Sequence, residues 1–190
     1  MIKAIIFDCF GVLYPQASGD FFKRHKNLFQ NNSAALDRLN LEIDLGEITR
    51  TDFFNRLQEI TGMDASKIRS EFDQELSVDQ KLVEFIQKLK STYKVALLSN
   101  AGKEEIEIIY RDKIDSLFDA IAVSYEVKSV KPGSEIFLIC TKRLNIEPEE
   151  CVFVDDSTIN IEAAKKLGMK TVFYPDFGKI PSELLMLLGI

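Results

Sequence analysis

The sequence predicts an α/β fold, a doubly wound parallel sheet carrying a small inserted α-helical domain. Three observations predict it. Short apolar runs rich in β-branched and aromatic residues recur at Lys3–Phe7, Tyr93–Leu98, Ala120–Val123, Cys151–Val154 and Lys170–Tyr174, and such runs read as strands. From Ser77 onward these runs alternate with amphipathic helical stretches, the pattern of right-handed βαβ crossovers in a parallel sheet. Between the first run and the second, from about Asp20 to Glu75, apolar residues instead recur at helical spacing.

The elements follow in order. The first strand has no polar alternation, so both its faces are expected to be buried at the centre of a sheet. It leads into Asp8-Cys9-Phe10-Gly11-Val12-Leu13. The inserted helices carry Phe21, Phe22 and Leu28, then Leu36, Leu39 and Ile43, then Phe53, Phe54, Leu57 and Ile60, then Ile68 and Phe72, with breaks at Asn31-Asn32-Ser33, Gly46 and Gly62. Thr51-Asp52 is a plausible helix start and Gly62 a stop. Beyond the insertion, helices are expected at Asp79–Leu89, Glu104–Tyr110, Ser134–Leu144, Thr158–Leu167 (closed by Gly168) and Ser182–Leu188. The expected organisation is an α/β core of residues 1–14 and 77–190 with a helical cap of residues 15–76.

A chain of 190 residues, 46% apolar, suits one core domain with a modest insertion. Its formal net charge of −6 and pI near 5.0 argue against a nucleic-acid partner, since phosphate backbones select basic surfaces. Small anionic substrates remain compatible, because local amides, a lysine and a metal can hold a phosphate within an acidic protein. No apolar run is long enough to span a bilayer, so no membrane partner is expected, and the start has no basic leader segment. Cys9, Cys140 and Cys151 are odd in number and lack metal-type spacing, which points to a reduced, cytoplasmic setting. His25 is the only histidine. That excludes a His-rich zinc site and any Ser-His-Asp triad not built on it; among Lys23, Arg24 and Lys26 it reads as a surface residue.

Four strand exits carry polar residues, at the place where open α/β sheets bind ligands. Asp8 is the first, although from its own segment alone it is better read as a turn cap. At Ser99-Asn100 a hydroxyl and following N–H groups suit an anionic oxygen; capping of the next helix is an equal reading. Lys131 precedes Pro132 and a helix starting near Ser134, a weak signal alone, and Lys128 has no such context. Asp155-Asp156-Ser157 is the most specific, because adjacent carboxylates at a buried strand end repel unless a cation or donors offset them. An N-cap at Asp156 or Ser157 would use one carboxylate and leave the other unexplained. With Asp8 alongside, the pair makes an oxygen-rich pocket suited to Mg²⁺.

The order Asp8-x-Phe10-Gly11-Val12, Ser99-Asn100, Lys131-Pro132, Asp155-Asp156-Ser157 resembles the four motifs of the haloacid dehalogenase-like (HAD) hydrolase superfamily, across the whole chain. The insertion resembles the small helical cap, type C1, of its subfamily I. Gly46-Glu47-Ile48-Thr49 before Phe53, Ile136-Phe137, Asn160-Ile161-Glu162-Ala163-Ala164 and Leu167-Gly168-Met169 strengthen the likeness. The resemblance implies a Rossmann-like core and a Mg²⁺-dependent phosphatase of a small phosphorylated metabolite. Asp8 would be the nucleophile, forming an aspartyl-phosphate. Ser99, with the N–H groups of Asn100 and Ala101, would hold phosphoryl oxygens, and Lys131 would neutralise the paired negative charge. Mg²⁺ would be bound by Asp8, the backbone carbonyl of Phe10 and Asp156, with Asp155 either a ligand or a group behind the ligands. Tyr14, Gln16, Lys23 and Arg50 are candidate substrate contacts, and the Phe-rich cap leaves room for a homodimer contact.

Position 10 departs from the family pattern. Most of its phosphatases carry there a second aspartate that protonates the leaving group, and Phe10 cannot transfer a proton. General acid–base catalysis is worth roughly 10²–10⁴-fold. The family's dehalogenases also carry an aromatic residue there and need no metal, so a 2-haloacid dehalogenase is the alternative; the acidic pair, and a fourth motif ending here at Asn160, weigh against it. A third reading is a catalytically weak HAD-like protein that binds a ligand or partner, against which the surviving Asp8, Ser99 and Lys131 count.

Overall fold

A computed structural model describes residues 1–29, 32–72 and 77–189. Asn31, Glu75 and the expected end of the cap at residue 76 lie outside the described residues. Five parallel strands, β1 (Ala4–Phe7), β2 (Lys94–Ser99), β3 (Ala120–Val123), β4 (Cys151–Asp155) and β5 (Lys170–Phe173), form one sheet in the order β3-β2-β1-β4-β5. All four residues of β1 are fully buried, as expected for a central strand. Ile5, Phe7, Val95, Leu97, Val152 and Val154 face one side with helices α6 (Gln80–Leu89) and α11 (Ser182–Leu188). Ala4, Ile6, Ala96, Leu98, Cys151 and Phe153 face the other with α9 (Ser134–Leu144) and α10 (Thr158–Lys166). Period-two alternation thus fills two cores from the same strands.

Among the described residues five helices, α1 (Ala17–Arg24), α2 (Lys26–Phe29), α3 (Ser33–Asp44), α4 (Arg50–Thr61) and α5 (Ala65–Phe72), lie between β1 and α6 and share a separate core. Helix α4 begins one residue before the expected Thr51. Thr49 caps it, exchanging hydrogen bonds with Asp52 in a capping box, and Gly62 closes it at φ +70°. Its buried face, Phe53, Phe54 and Leu57, meets Phe21, Phe29 and Ile68, and Phe72 stands 4.8 Å from Phe21 and 5.4 Å from Phe54, ring to ring. Phe21, Phe29, Phe53 and Phe54 are thus buried within this unit, with Phe22 and Phe72 partly buried against them. His25 is half-buried, not a surface residue. Its ring lies 4.7 Å from that of Phe21 and its Nε2 is 2.9 Å from Glu71 Oε2, joining α1 to α5.

Among the described residues no helix is long and apolar enough to cross a membrane. The remaining elements are α7 (Lys103–Arg111), the one-turn α8 (Ser124–Val127) and two 3₁₀ turns. Helix α8 has no counterpart in the sequence pattern, being too short to show a period. It joins the sheet to the helical unit: Ser124 Oγ donates to the Asp44 carbonyl at 2.6 Å, and Lys128 Nζ to the Leu45 carbonyl at 2.7 Å.

Candidate active site

The chain runs β1, β2, β3 outward in one direction and then crosses to β4 on the other side of β1. The switch point therefore opens between β1 and β4, the usual ligand crevice of such sheets. Asp8 follows β1 immediately, its N–H bonded to the Val154 carbonyl at 2.9 Å, so register sets it beside Asp155 at the end of β4. Ser99 ends β2 on the other flank.

Lys131 is the centre of the arrangement. Its ammonium lies 2.7 Å from Asp8 Oδ1 and 2.8 Å from Asp155 Oδ2, and donates to the Leu98 carbonyl at 3.2 Å. Its side chain is 1% exposed, so a lysine that the sequence alone would leave in solvent is among the most buried groups of the chain. Although burial pulls its pKa down, Asp8 and Asp155 hold the ammonium above its usual range. The Asn100 side chain fixes the Lys131 backbone from both sides, donating to its carbonyl at 2.9 Å and accepting its N–H at 2.8 Å. Asn100 thus positions the lysine. Ala101 differs from expectation as well: its N–H donates to Ser124 Oγ at 3.0 Å, so it is engaged and does not face a phosphate.

The two aspartates of the acidic pair separate in role. Asp155 is fully buried and accepts from Lys131, from the Ser157 N–H at 2.7 Å and from Asn160 Nδ2 at 3.1–3.2 Å. The Ser157 side chain makes no cap for α10, and neither does Asp156; Asp155 meets the N-terminal turn instead. Asp156 is half-exposed and lines the cavity. Burial raises its carboxyl, Asp155 adds to the rise, and Lys131 opposes it. Burial likewise pushes Asp8 up to about 7 against Lys131, with Asp155 adding to the rise. One ammonium for three carboxylates leaves a deficit of positive charge.

That deficit, and the donor set, fit a hard divalent cation. Asp8, Asp155 and Asp156 each offer an oxygen within 4.8 Å of the others. Asp155 is committed to Lys131, Asn160 and Ser157, so Asp8 and Asp156 are the better ligands. The bridge between Phe10 and Tyr14 uses the Cys9 carbonyl and the Gly11 N–H, so the Phe10 carbonyl takes no part in it. Gly11 makes room for the arrangement: at φ +95° a Cβ would stand 2.2 Å from Asp156 Oδ2. Gly11→Ala is expected to displace Asp156, weakening binding of a divalent cation by roughly 10–100-fold, as changes around metal ligands do, at a backbone cost of about 1–2 kcal/mol. A calorimetric Mg²⁺ titration beside a thermal melt checks both.

A cavity of about 430 Å³ opens over these groups, lined by Asp8, Phe10, Ser99, Lys131 and Asp156 from the sheet side and by Gln16, Asp44, Arg50 and Phe54 from the helical unit. Of the candidate substrate contacts, Gln16 and Arg50 line it. Tyr14 does not: it is fully buried and its hydroxyl donates to Asp112 at 2.9 Å. Lys23 is exposed and does not line the cavity.

The sequence pattern of the haloacid dehalogenase-like hydrolases matches residues 2–168. The chain belongs to this family. It is 28% identical over 199 residues to a D-ribitol-5-phosphate phosphatase of Bacteroides thetaiotaomicron (94% of each chain). It is 25% identical over 183 residues to a phosphatase of phosphorylated carbohydrates from Thermotoga maritima (90% of this chain, 84% of the other). A HAD family enzyme of Bacteroides thetaiotaomicron, solved in complex with magnesium and inorganic phosphate, superposes with a TM-score of 0.74 at 30% identity over 97% of this chain and 99% of that one. The chain is a HAD hydrolase with the Rossmann-like core of that family.

Several residues of this site are not apparent from the sequence. Asn160 lies in a stretch that carries the family likeness, yet its hold on Asp155 needs the α10 geometry. Ser124, Asp44 and Glu105 have no local signal, since they matter through contacts between distant segments.

Proposed function

We propose that this HAD hydrolase is a Mg²⁺-dependent phosphatase of small phosphorylated metabolites, acting through an aspartyl-phosphate on Asp8. The observation that carries this reading is the buried Lys131 bridging Asp8 and Asp155 at 2.7 and 2.8 Å, with Asp156 beside them at the switch point. Phosphatase relatives of nearly full length support it.

Mg²⁺, held by Asp8, Asp156 and the Phe10 carbonyl, would supply positive charge to the phosphoryl oxygens and to Asp8. Asp8 attacks phosphorus, and water later cleaves the aspartyl-phosphate. Lys131 neutralises charge shared between Asp8 and the phosphoryl group, held in aim by Asp155, Asn100 and the Leu98 carbonyl. Ser99 and the Asn100 N–H are the donors to the phosphoryl oxygens. The helical unit, expected at residues 15–76, acts as a cap that covers the cavity and excludes water.

Phe10 favours one competing reading, metal-independent attack on the carbon of a 2-haloacid. Asp156 and the space left for it by Gly11 have no use in that chemistry. A panel of phosphomonoesters and short 2-haloacids, each assayed with Mg²⁺ and with chelator, separates the two. Phosphate release that needs Mg²⁺ is expected; halide release indifferent to chelator would replace the phosphatase reading with the dehalogenase one.

A further inference from the structure

The phosphatase reading leaves one role unfilled. Phe10 stands where the leaving oxygen must collect a proton, and its ring has none to give. Two carboxylates reach the same cavity from other elements: Asp44, the last residue of α3, and Glu105, in the first turn of α7.

Both are held against the loop that follows β2. The Asp44 carbonyl accepts from Ser124 Oγ at 2.6 Å, and that same oxygen accepts the Ala101 N–H at 3.0 Å. One hydroxyl therefore ties Asp44 to the segment next to Ser99 and Asn100. Gly102 lets the two sides meet: Glu105 Oε2 and the Ile43 carbonyl lie 2.9 and 3.3 Å from the point where a Cβ on residue 102 would stand. Glu105 Oε2 is itself buried without a hydrogen-bond partner. An unpaired buried acceptor is costly, and a shared proton or a substrate hydroxyl relieves it.

We propose that Asp44, with Glu105 beside it, gives the leaving oxygen the proton that position 10 cannot supply. The proposal rests on the phosphatase reading of the site. In the first step an Asp8 oxygen bonds to phosphorus, the bond from phosphorus to the leaving oxygen breaks, and that oxygen's freed electron pair takes the Asp44 proton, releasing a neutral alcohol. In the second step a water oxygen bonds to phosphorus, the bond to Asp8 breaks with its pair returning to the carboxylate, and the water's proton passes to Asp44. The cycle closes with no further reactant.

The surroundings suit the role. Burial raises Asp44 to about 7, with Glu105 from α7 adding to the rise and Lys131 opposing it. Burial also raises Glu105, with Arg50 of α4 opposing and Glu104 adding. Lys128, just after α8, directs its ammonium to the Leu45 carbonyl. A carboxyl so placed still carries its proton near neutral pH, as a donor must. Above about pH 7 the proton is lost, so hydrolysis that depends on it falls as pH rises.

The test compares a good leaving group with a poor one, p-nitrophenyl phosphate with glycerol phosphate, in Mg²⁺-loaded enzyme. Asp44→Asn is expected to slow glycerol phosphate hydrolysis by roughly 10²–10⁴-fold, the range for a lost general acid. It should also abolish the fall in that rate above about pH 7. Release of p-nitrophenol in a single turnover, which precedes the step in which Asp44 takes the water's proton, should change far less than release of glycerol; this at the same time reports that the variant is folded, and Asp44→Glu should keep part of the glycerol phosphate rate. Equal loss on both substrates in the single-turnover release of the alcohol, or an unchanged glycerol phosphate rate and pH profile, overturns the proposal while leaving the phosphatase reading in place. A wild-type enzyme that hydrolyses neither ester with Mg²⁺ removes that reading and the proposal with it.

Discussion

Asp8→Asn is expected to lower phosphate release by on the order of 10⁴-fold or more, the scale seen when a nucleophile is removed. The variant keeps the size of the side chain and loses the anionic oxygen that attacks phosphorus. The fold should not suffer. Asp8 is one of two carboxylates sharing the Lys131 ammonium, and Asp155 stays in place at 2.8 Å. Burial raises the Asp8 carboxyl from 3.8 to about 7 in the folded chain. A raised acid destabilises the native state once pH exceeds its unfolded value, so replacing it relieves a penalty in neutral solution. Phosphate release and urea unfolding, measured on the same preparation at pH 8, should therefore diverge: activity gone, stability equal to wild type or above it.

Lys131→Met is expected to do the reverse to stability. It leaves Asp8 and Asp155 buried without their shared cation, and removing one partner of a buried ion pair costs about 3–5 kcal/mol. For a chain of this length that is a Tm lowered by roughly 6–20 °C. Activity should vanish together with stability. The deficit has a sign in pH. Without the lysine the buried Asp8 carboxyl is pushed further above its unfolded value, so the loss grows as pH rises through its titration and shrinks toward acid. Melting curves of the variant and wild type across pH 5–8 check this (a range about the usual optimum of stability); a gap that widens toward acid would mean that Lys131 does not carry these carboxylates.

Much of this was legible in the residues, for identifiable reasons. A strand buried on both faces leaves no polar residue inside, so the first polar residue marks its exit; Asp8, Ser99 and Asp155 all stand out this way. The helices Ser134–Leu144 and Ser182–Leu188 and the strand Ala120–Val123 have the bounds their patterns indicate. What was not legible depends on contact between segments far apart in the chain. Tyr14 looks like a cavity residue until its hydroxyl is found on Asp112, 98 positions away. Asn100 looks like an anion binder or a cap, yet its side chain grips Lys131. His25 reads as solvated beside three cations, and a ring tilted against Phe21, with Glu71 at 2.9 Å, draws it inward. Lys128, unremarkable in sequence, reaches 83 positions back to the helical unit. Side chains choose partners from the fold, and a local pattern holds no record of that choice.

The central claim is that Asp8 receives the phosphoryl group in a site completed by Mg²⁺. A crystal structure of the wild-type chain with Mg²⁺ and beryllofluoride, a mimic of the transferred phosphoryl group, tests it most directly. Beryllium is predicted to be bonded to an Asp8 carboxylate oxygen, with Mg²⁺ between Asp8 and Asp156 and the Lys131 ammonium on a fluoride. Beryllofluoride bound away from Asp8, or Mg²⁺ bound without Asp156, would contradict it.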